Sequence, residues 1–126
     1  MRRRFAAASV VGALVLALAG ASALGAPKPR TVKLGDDYYL PAKLTVKKGT
    51  KIHWVWNSDN ADSHDVRVKS GPKGVKKFHS ELAASDYSYS KKLTVPGTYR
   101  IYCSLHKEMK ETIVAGLVSV RARVDA

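Results

Sequence analysis

The amino-acid sequence predicts an all-β fold, a sandwich of short strands in two sheets packed face to face. Turn signals recur at intervals of about ten residues, the spacing of sandwiches and barrels. The segments between them alternate apolar and polar side chains, as half-buried strands do. No segment sustains a long helical period. With 126 residues, the chain has room for one small domain and little more.

The N-terminus stands apart from that domain. "MRRR" is a cationic start, and "FAAASVVGALVLALAG" is an uncharged apolar run ending near the small residues Ala21 and Ala23. This is the pattern of a secretory signal peptide, expected over residues 1–25, with cleavage after Ala23 or Gly25. An uncleaved anchor is the rival reading, but a run of about 16 residues falls short of the roughly 20 that span a bilayer. No cysteine follows "LAG", so a lipid-bearing cysteine there is excluded. The domain is then 26–126, exported to the periplasm, the cell surface or the medium.

Along that domain, "TVKLG" leads into "DDYYLPAKLTVKKGT", where Leu44 and Val46 alternate with polar neighbours and "KKGT" turns. In "KIHWVWN", Ile52, Trp54 and Trp56 share a face directed to the core, and His53 and Val55 share the outer one. "NSDNADS" is a polar loop, and "HDVRVKS" a strand with His64, Val66 and Val68 in phase. After the loop "GPKGVKK", "SELAASDY" has room for a turn or two of helix. "YSYSKKLTV" is a strand, "PG" at 96–97 a tight turn, and "TYRIYC" places Tyr99, Ile101 and Cys103 on one face. "ETIVAGLVSVRARV" is rich in β-branched residues, with Gly116 expected to break or bulge it.

The formal charge of +12 stays strongly basic without the three leading arginines. Such a surface favours acidic partners, anionic wall polymers or membrane headgroups, with a plainly solvated surface as the equal alternative. Nucleic acid is not expected, since no basic helix or recognition motif is present. Peripheral contact with a membrane surface fits the charge. A monomer is expected.

The chain has one cysteine, Cys103. It cannot form a disulfide within the chain, and a lone thiol in an oxidising compartment needs burial, an intermolecular partner or a metal. In "YCSLHKEM", His106 follows it by three residues and Met109 by six. On a helix the three would be core contacts along one flank. The flanking segments are strands, however, so the stretch is a seven-residue inter-strand loop able to aim thiolate, imidazole and thioether at one point. That set suits copper, which takes His and Cys with a long axial Met. Zinc gains little from a thioether. Haem attachment and iron–sulfur clusters need more cysteines. A second histidine is missing from the loop. His53 lies on the outer face and His79 in a polar stretch beside lysines, so His64, at a strand start and in phase with the core, is the candidate. The plain alternative is an inert buried thiol among ordinary histidines.

"VPGTYRIYCSLHKEM" resembles the C-terminal signature of the cupredoxins, the plastocyanin and amicyanin family of blue-copper proteins, and the two-residue gap before Met109 is similar to the short loop of amicyanins. "YLPAKLTVKKGTKIHWVWNSDNADSHDV" resembles the family's earlier half. The resemblance implies an eight-stranded Greek-key β-sandwich holding one type 1 copper. His64, Cys103 and His106 would be its strong equatorial ligands and Met109 its weak axial one. The family usually has Asn after the first His, tying the two ligand segments together, where this chain has Asp65, and often Pro before the second His, where it has Leu105. The implied function is carriage of single electrons between redox proteins in the cell envelope, not enzymatic turnover. His106 would be the electron port and Tyr102 a second one or a plain strand aromatic. Lys107 and Lys110 beside the port imply acidic redox partners. Copper carriage in the envelope and a metal-free surface-binding sandwich are the alternatives.

Overall fold

The computed structural model describes residues 25–117. The expected signal peptide, except its last residue, and the tail beyond Leu117 lie outside the described residues. Eight strands form: β1 (Arg30–Gly35), β2 (Tyr38–Leu40), β3 (Lys43–Lys47), β4 (Thr50–Trp56), β5 (Arg67–Ser70), β6 (Ser88–Leu93), β7 (Gly97–Tyr102) and β8 (Lys110–Gly116). They make two four-stranded sheets, in the orders β2-β1-β4-β6 and β3-β8-β7-β5. Both are mixed, because β1 runs parallel to β4 and β3 parallel to β8, while the other pairs are antiparallel. The all-β sandwich predicted from alternation is the fold.

Alternation also sets what is buried. Ile52, Trp54 and Trp56 point inward from β4, and Tyr99 and Ile101 point inward from β7, as their spacing requires. Val32, Leu34, Leu44, Val46 and Ile113 complete the apolar layer between the sheets. Burying this layer is the main favourable term in folding, at roughly 25 cal/mol per Å² of apolar surface. Two glycines are required by geometry. Gly49 turns "KKGT" at a φ of 87°, and at Gly97 (φ 142°) a Cβ would lie 2.5 Å from the Pro72 ring.

Two local expectations are corrected. "SELAASDY" contains no helix. Its Ala83 instead exchanges two backbone hydrogen bonds with His64 (2.9 and 3.1 Å), so the segment is held as an extended partner. The strand expected from His64 begins only at Arg67, and His64, Asp65 and Val66 are all buried in succession. Alternation fails there because the Ser80 hydroxyl and Ala83, not a neighbouring strand, take up the backbone groups. Gly116 stands where a break or bulge is expected: β8 ends there without a bulge, and the Gly116 carbonyl accepts the Lys48 N–H at 2.6 Å.

The strands define two poles. At one, the β1–β2 turn, the 57–66 connection and the loop from Cys103 to Met109 converge. At the other, the β3–β4 turn is tied to the ends of β8 and β6 by Lys48 N–H to Gly116 O and Gly49 N–H to Leu93 O, both 2.6 Å.

Glu111 is an unusual core residue. It is 2% exposed, and its Oε1 accepts the Trp54 indole N–H at 2.9 Å, whereas Oε2 has no hydrogen-bond partner. Burial raises its pKa from 4.5 to about 7, against the opposing Trp54 hydrogen bond. The folded state therefore holds this proton at pH values where the unfolded chain has released it. Stability from this group is full below about 4.5 and declines as pH rises towards 7. The decline is expected to amount to about 3 kcal/mol. Urea unfolding across that range should show it, and Glu111→Gln should remove it; an unchanged pH slope in Glu111→Gln would contradict the assignment.

Candidate metal centre

His64 is positioned from its backbone outward. Its N–H and C=O pair with Ala83, and its carbonyl also accepts the Trp56 indole N–H at 3.0 Å. The ring is fully buried. Cys103 follows β7 and continues the inward phase of Tyr99 and Ile101, at 2% exposure. The loop after it is closed on itself: the Met109 N–H donates to His106 O and the Cys103 N–H to Met109 O, each at 3.1 Å. This closure holds His106 at the rim, 23% exposed at its side chain, and Met109 inside, 1% exposed. The seven-residue loop expected between two strands is present.

One donor atom each of His64, Cys103 and His106 lies within 4.8 Å of the others. His64 Nδ1 is 3.2 Å from His106 Nδ1, which is 3.5 Å from Cys103 Sγ. Met109 is buried in the same loop. His53 and His79 stay away from this cluster: His53 Nδ1 meets the Ser90 hydroxyl at 2.6 Å on the outer face of its sheet, and His79 is exposed.

The outer edges of the two rings meet carboxylates, which the sequence reading missed. His64 Nε2 lies 2.9 Å from Asp36 Oδ1, and His106 Nε2 lies 3.1 Å from Asp37 Oδ1 and 3.9 Å from Asp62 Oδ2. A carboxylate accepts, so the His64 ring carries its proton on Nε2 and turns its Nδ1 towards His106 and the sulfur. The contacts among His64 Nδ1, His106 Nδ1 and Cys103 Sγ bring two ring nitrogens and the sulfur to one point. The donor set of two imidazoles, a thiolate and a neighbouring thioether fits a soft or borderline metal such as copper. The signal that could have found the carboxylates is the pair Asp36-Asp37, set in the tight turn between β1 and β2, where Asp37 has a φ of 71°.

Asp36 is itself fixed. It accepts the Ala61 N–H (2.9 Å) and the Asp62 N–H (3.1 Å). The Ala61 N–H first, then His64 and the Asp62 N–H, lower its pKa to about 2. Asp65 does more than bridge. Its Oδ1 accepts the Ser104 N–H and its Oδ2 the Ser104 hydroxyl, both at 2.7 Å, and Oδ2 also accepts Arg67 Nε at 2.7 Å. Burial pushes its carboxyl pKa up, but the two Ser104 hydrogen bonds and Arg67 outweigh that and hold it below the usual range. The tie between the two segments is thus made by an aspartate in the position where the resemblance places asparagine.

Beside the cluster, a groove is lined by Lys69, Tyr102, Cys103, Lys107, Glu108 and Lys110. Tyr102 is half-buried there, paired across the sheet with Arg67 on one side and Lys110 on the other. No acidic patch surrounds it.

Comparison with known proteins agrees with this geometry. Residues 30–116 match the family model of copper binding proteins, plastocyanin/azurin family. Amicyanin-alpha of Methylorubrum extorquens is 34% identical over 83 residues, covering 66% of this chain and 68% of that protein. The chloroplastic plastocyanin of Chlamydomonas reinhardtii is 34% identical over 110 residues, covering 79% of this chain and 73% of that one. Among solved structures, the amicyanin of Paracoccus versutus superposes with a TM-score of 0.60 at 25% identity, covering 69% of this chain and 80% of that one. A copper-containing nitrite reductase from Thermus scotoductus gives 0.61 at 27% identity, but only 22% of its length is covered by this chain.

Asp65→Ala is expected to destabilise the protein by about 3 kcal/mol, because it removes a buried carboxylate that accepts three hydrogen bonds and joins both segments. Asp65→Asn, which keeps one acceptor for the Ser104 N–H, should cost less. The lowered pKa means that the stabilisation from Asp65 is full above the unfolded value of 3.8 and is lost as acid protonates the folded carboxyl. Urea unfolding at neutral and acid pH checks both: equal loss in the two variants would show that the hydrogen bonds contribute nothing.

Proposed function

Since the chain belongs to the plastocyanin/azurin family of copper-binding proteins, we propose that it carries single electrons between redox proteins of the cell envelope on one type 1 copper. In this reading His64 Nδ1, Cys103 Sγ and His106 Nδ1 would hold the metal strongly, and Met109 would hold it weakly. The observation that carries it is the convergence of these three donor atoms, with the His64 ring hydrogen-bonded to Asp36 on its far side and Asp37 lying beside the far edge of His106.

Copper bound there supplies the one-electron couple, and the protein's contribution is a site that changes little with the electron. His64, Cys103 and Met109 are buried, which keeps water out. The closed Cys103–Met109 loop and the Asp65 tie fix the three sources of donors relative to one another. Asp36 orients the His64 ring and increases its basicity, and Asp37 acts likewise on His106. Stronger donation favours the oxidised metal, so both carboxylates would lower the potential. Burial of the donors and their fixation also support retention of the metal over its delivery to an acceptor.

His106 is the partly exposed ring and hence the electron port. The rim around it carries both signs: Asp37 and Asp62 lie against its Nε2 edge, while Lys69, Lys107 and Lys110 line the groove beside Cys103. The acidic face of a redox partner fits the lysine side, next to Tyr102. The protein acts as an exported monomer of residues 26–126 and has no turnover chemistry of its own.

Adding Cu(II) to the protein should produce an intense visible absorption from charge transfer between the Cys103 thiolate and copper. Cys103→Ala should abolish the band; its survival in that variant would overturn the reading. Asp36→Asn should keep the band, raise the potential, and weaken copper binding about 10- to 100-fold. Voltammetry and competitive chelation measure the two effects, and a lowered potential would contradict the role given to Asp36.

A further inference from the structure

We propose that the pole opposite the donor cluster is a docking surface for an anionic phospholipid bilayer, so that the cluster faces away from the membrane. The proposal concerns the other end of the molecule and stands whether or not the copper reading holds.

The two poles differ in charge. Every aspartate and glutamate among the described residues lies in the β1–β2 turn, the 57–66 and 79–87 connections, the 103–109 loop or the first residues of β8. All of these belong to the donor-cluster end. The opposite end is built from segments with no acidic residue. Lys47 and Lys48 stand in the β3–β4 turn, and Arg30 opens β1 opposite Ile52. Lys73 follows Pro72, whose ring packs against Gly97. Lys51 and Lys92 lie directly opposite each other on β4 and β6. All six are exposed. Like charges directly opposite on paired strands are destabilising, and the Lys51–Lys92 pair gains from an external polyanion more than from water alone.

Two further features choose a bilayer over a soluble anion. Leu117 is 71% exposed at this pole, next to Gly116, whose carbonyl holds the Lys48 N–H. An exposed apolar side chain at a basic pole matches the boundary between headgroups and acyl chains. The uncharged run of residues 5–20 is also joined to the fold here, through Gly25 to Pro29 ahead of β1. While that run is still attached, before the expected cleavage, a membrane it enters meets this pole first. Basic residues near an anionic leaflet each add to the attraction, within about a Debye length of 8 Å at physiological salt. The same field repels the Asp36, Asp37 and Asp62 end, so the molecule would sit with its His106 rim towards the aqueous phase.

The test is co-sedimentation of the full, copper-loaded chain with phosphatidylcholine vesicles, with and without phosphatidylglycerol. Binding should be at least about tenfold tighter to the anionic vesicles and should fall with added salt. The variant K47Q/K48Q/K51Q/K92Q should lose that difference. K69Q/K77Q/K107Q/K110Q, which removes the same charge from the Tyr102 side of the molecule, should keep most of it. Circular dichroism confirms that both variants are folded. Equal binding to both kinds of vesicle would assign attachment to the apolar run and overturn the proposal. Equal loss in the two variants would reduce it to net charge and overturn it too. Tighter binding to soluble polyphosphate than to the anionic vesicles would make the pole a polyanion site and not a bilayer one.

Discussion

The donor-cluster end depends on one buried carboxylate. Asp65 receives the backbone N–H and the hydroxyl of Ser104 and the guanidinium of Arg67, while its own backbone carbonyl accepts the Tyr39 hydroxyl at 2.6 Å. Four parts of the chain thus meet at one residue: the start of β5, the loop after β7, the segment of His64, and β2. Neither His64 nor the Cys103 loop belongs to a regular strand at the point where its donor atom is offered. Without this tie, their separation would be left to flexible connections. A single charge satisfied by three donors gives fixed geometry at little solvation cost, because each lost water contact is replaced.

A second constraint lies outside the ring of donors. The His64 ring is hydrogen-bonded on its outer side to the Asp36 carboxylate, and the Asp37 carboxylate lies beside His106 Nε2, from adjacent positions of one tight turn. The turn at the end of β1 therefore governs the electronic character of two rings that come from segments far apart in sequence. Asp36 is locked by the Ala61 and Asp62 N–H groups, so the connection leading to His64 is folded around the carboxylate that its ring meets. The site and its support are one hydrogen-bonded unit.

How much of this was legible in the sequence follows from the range of the interactions involved. Alternation along β3, β4 and β7 reads directly as burial, because the period of a strand is local. The donor residues were legible because their side-chain chemistry is rare in this chain: one cysteine, with a histidine and a methionine at short spacing. His64 could be picked from its phase with Val66 and Val68, although the strand itself starts later. The roles of Asp36 and Asp37 were not legible, since a carboxylate pair in a polar turn looks like ordinary solvated surface. The extended form of "SELAASDY" was hidden for the same reason: what holds Ala83 is the backbone of a residue 19 positions earlier, which local propensity does not contain. The charge separation between the poles was hidden too, because basic and acidic residues alternate in blocks along the sequence and only the folding of strands sorts them.

The sheet order also governs when the molecule can be assembled. Among the described strands β3 pairs only with β8, and β5 only with β7, so the second sheet has no pair to form until the last of these strands exist. A chain emerging from its point of synthesis would present β1 and β4 ready to pair, with the inward faces of β3 and β5 still waiting for cover. Closure of the sandwich is then a late, all-or-none event involving contacts distant in sequence, the kind that forms slowly. Cys103 and Met109 sit between the two strands that complete it, so the donor cluster comes together in the same step that closes the core.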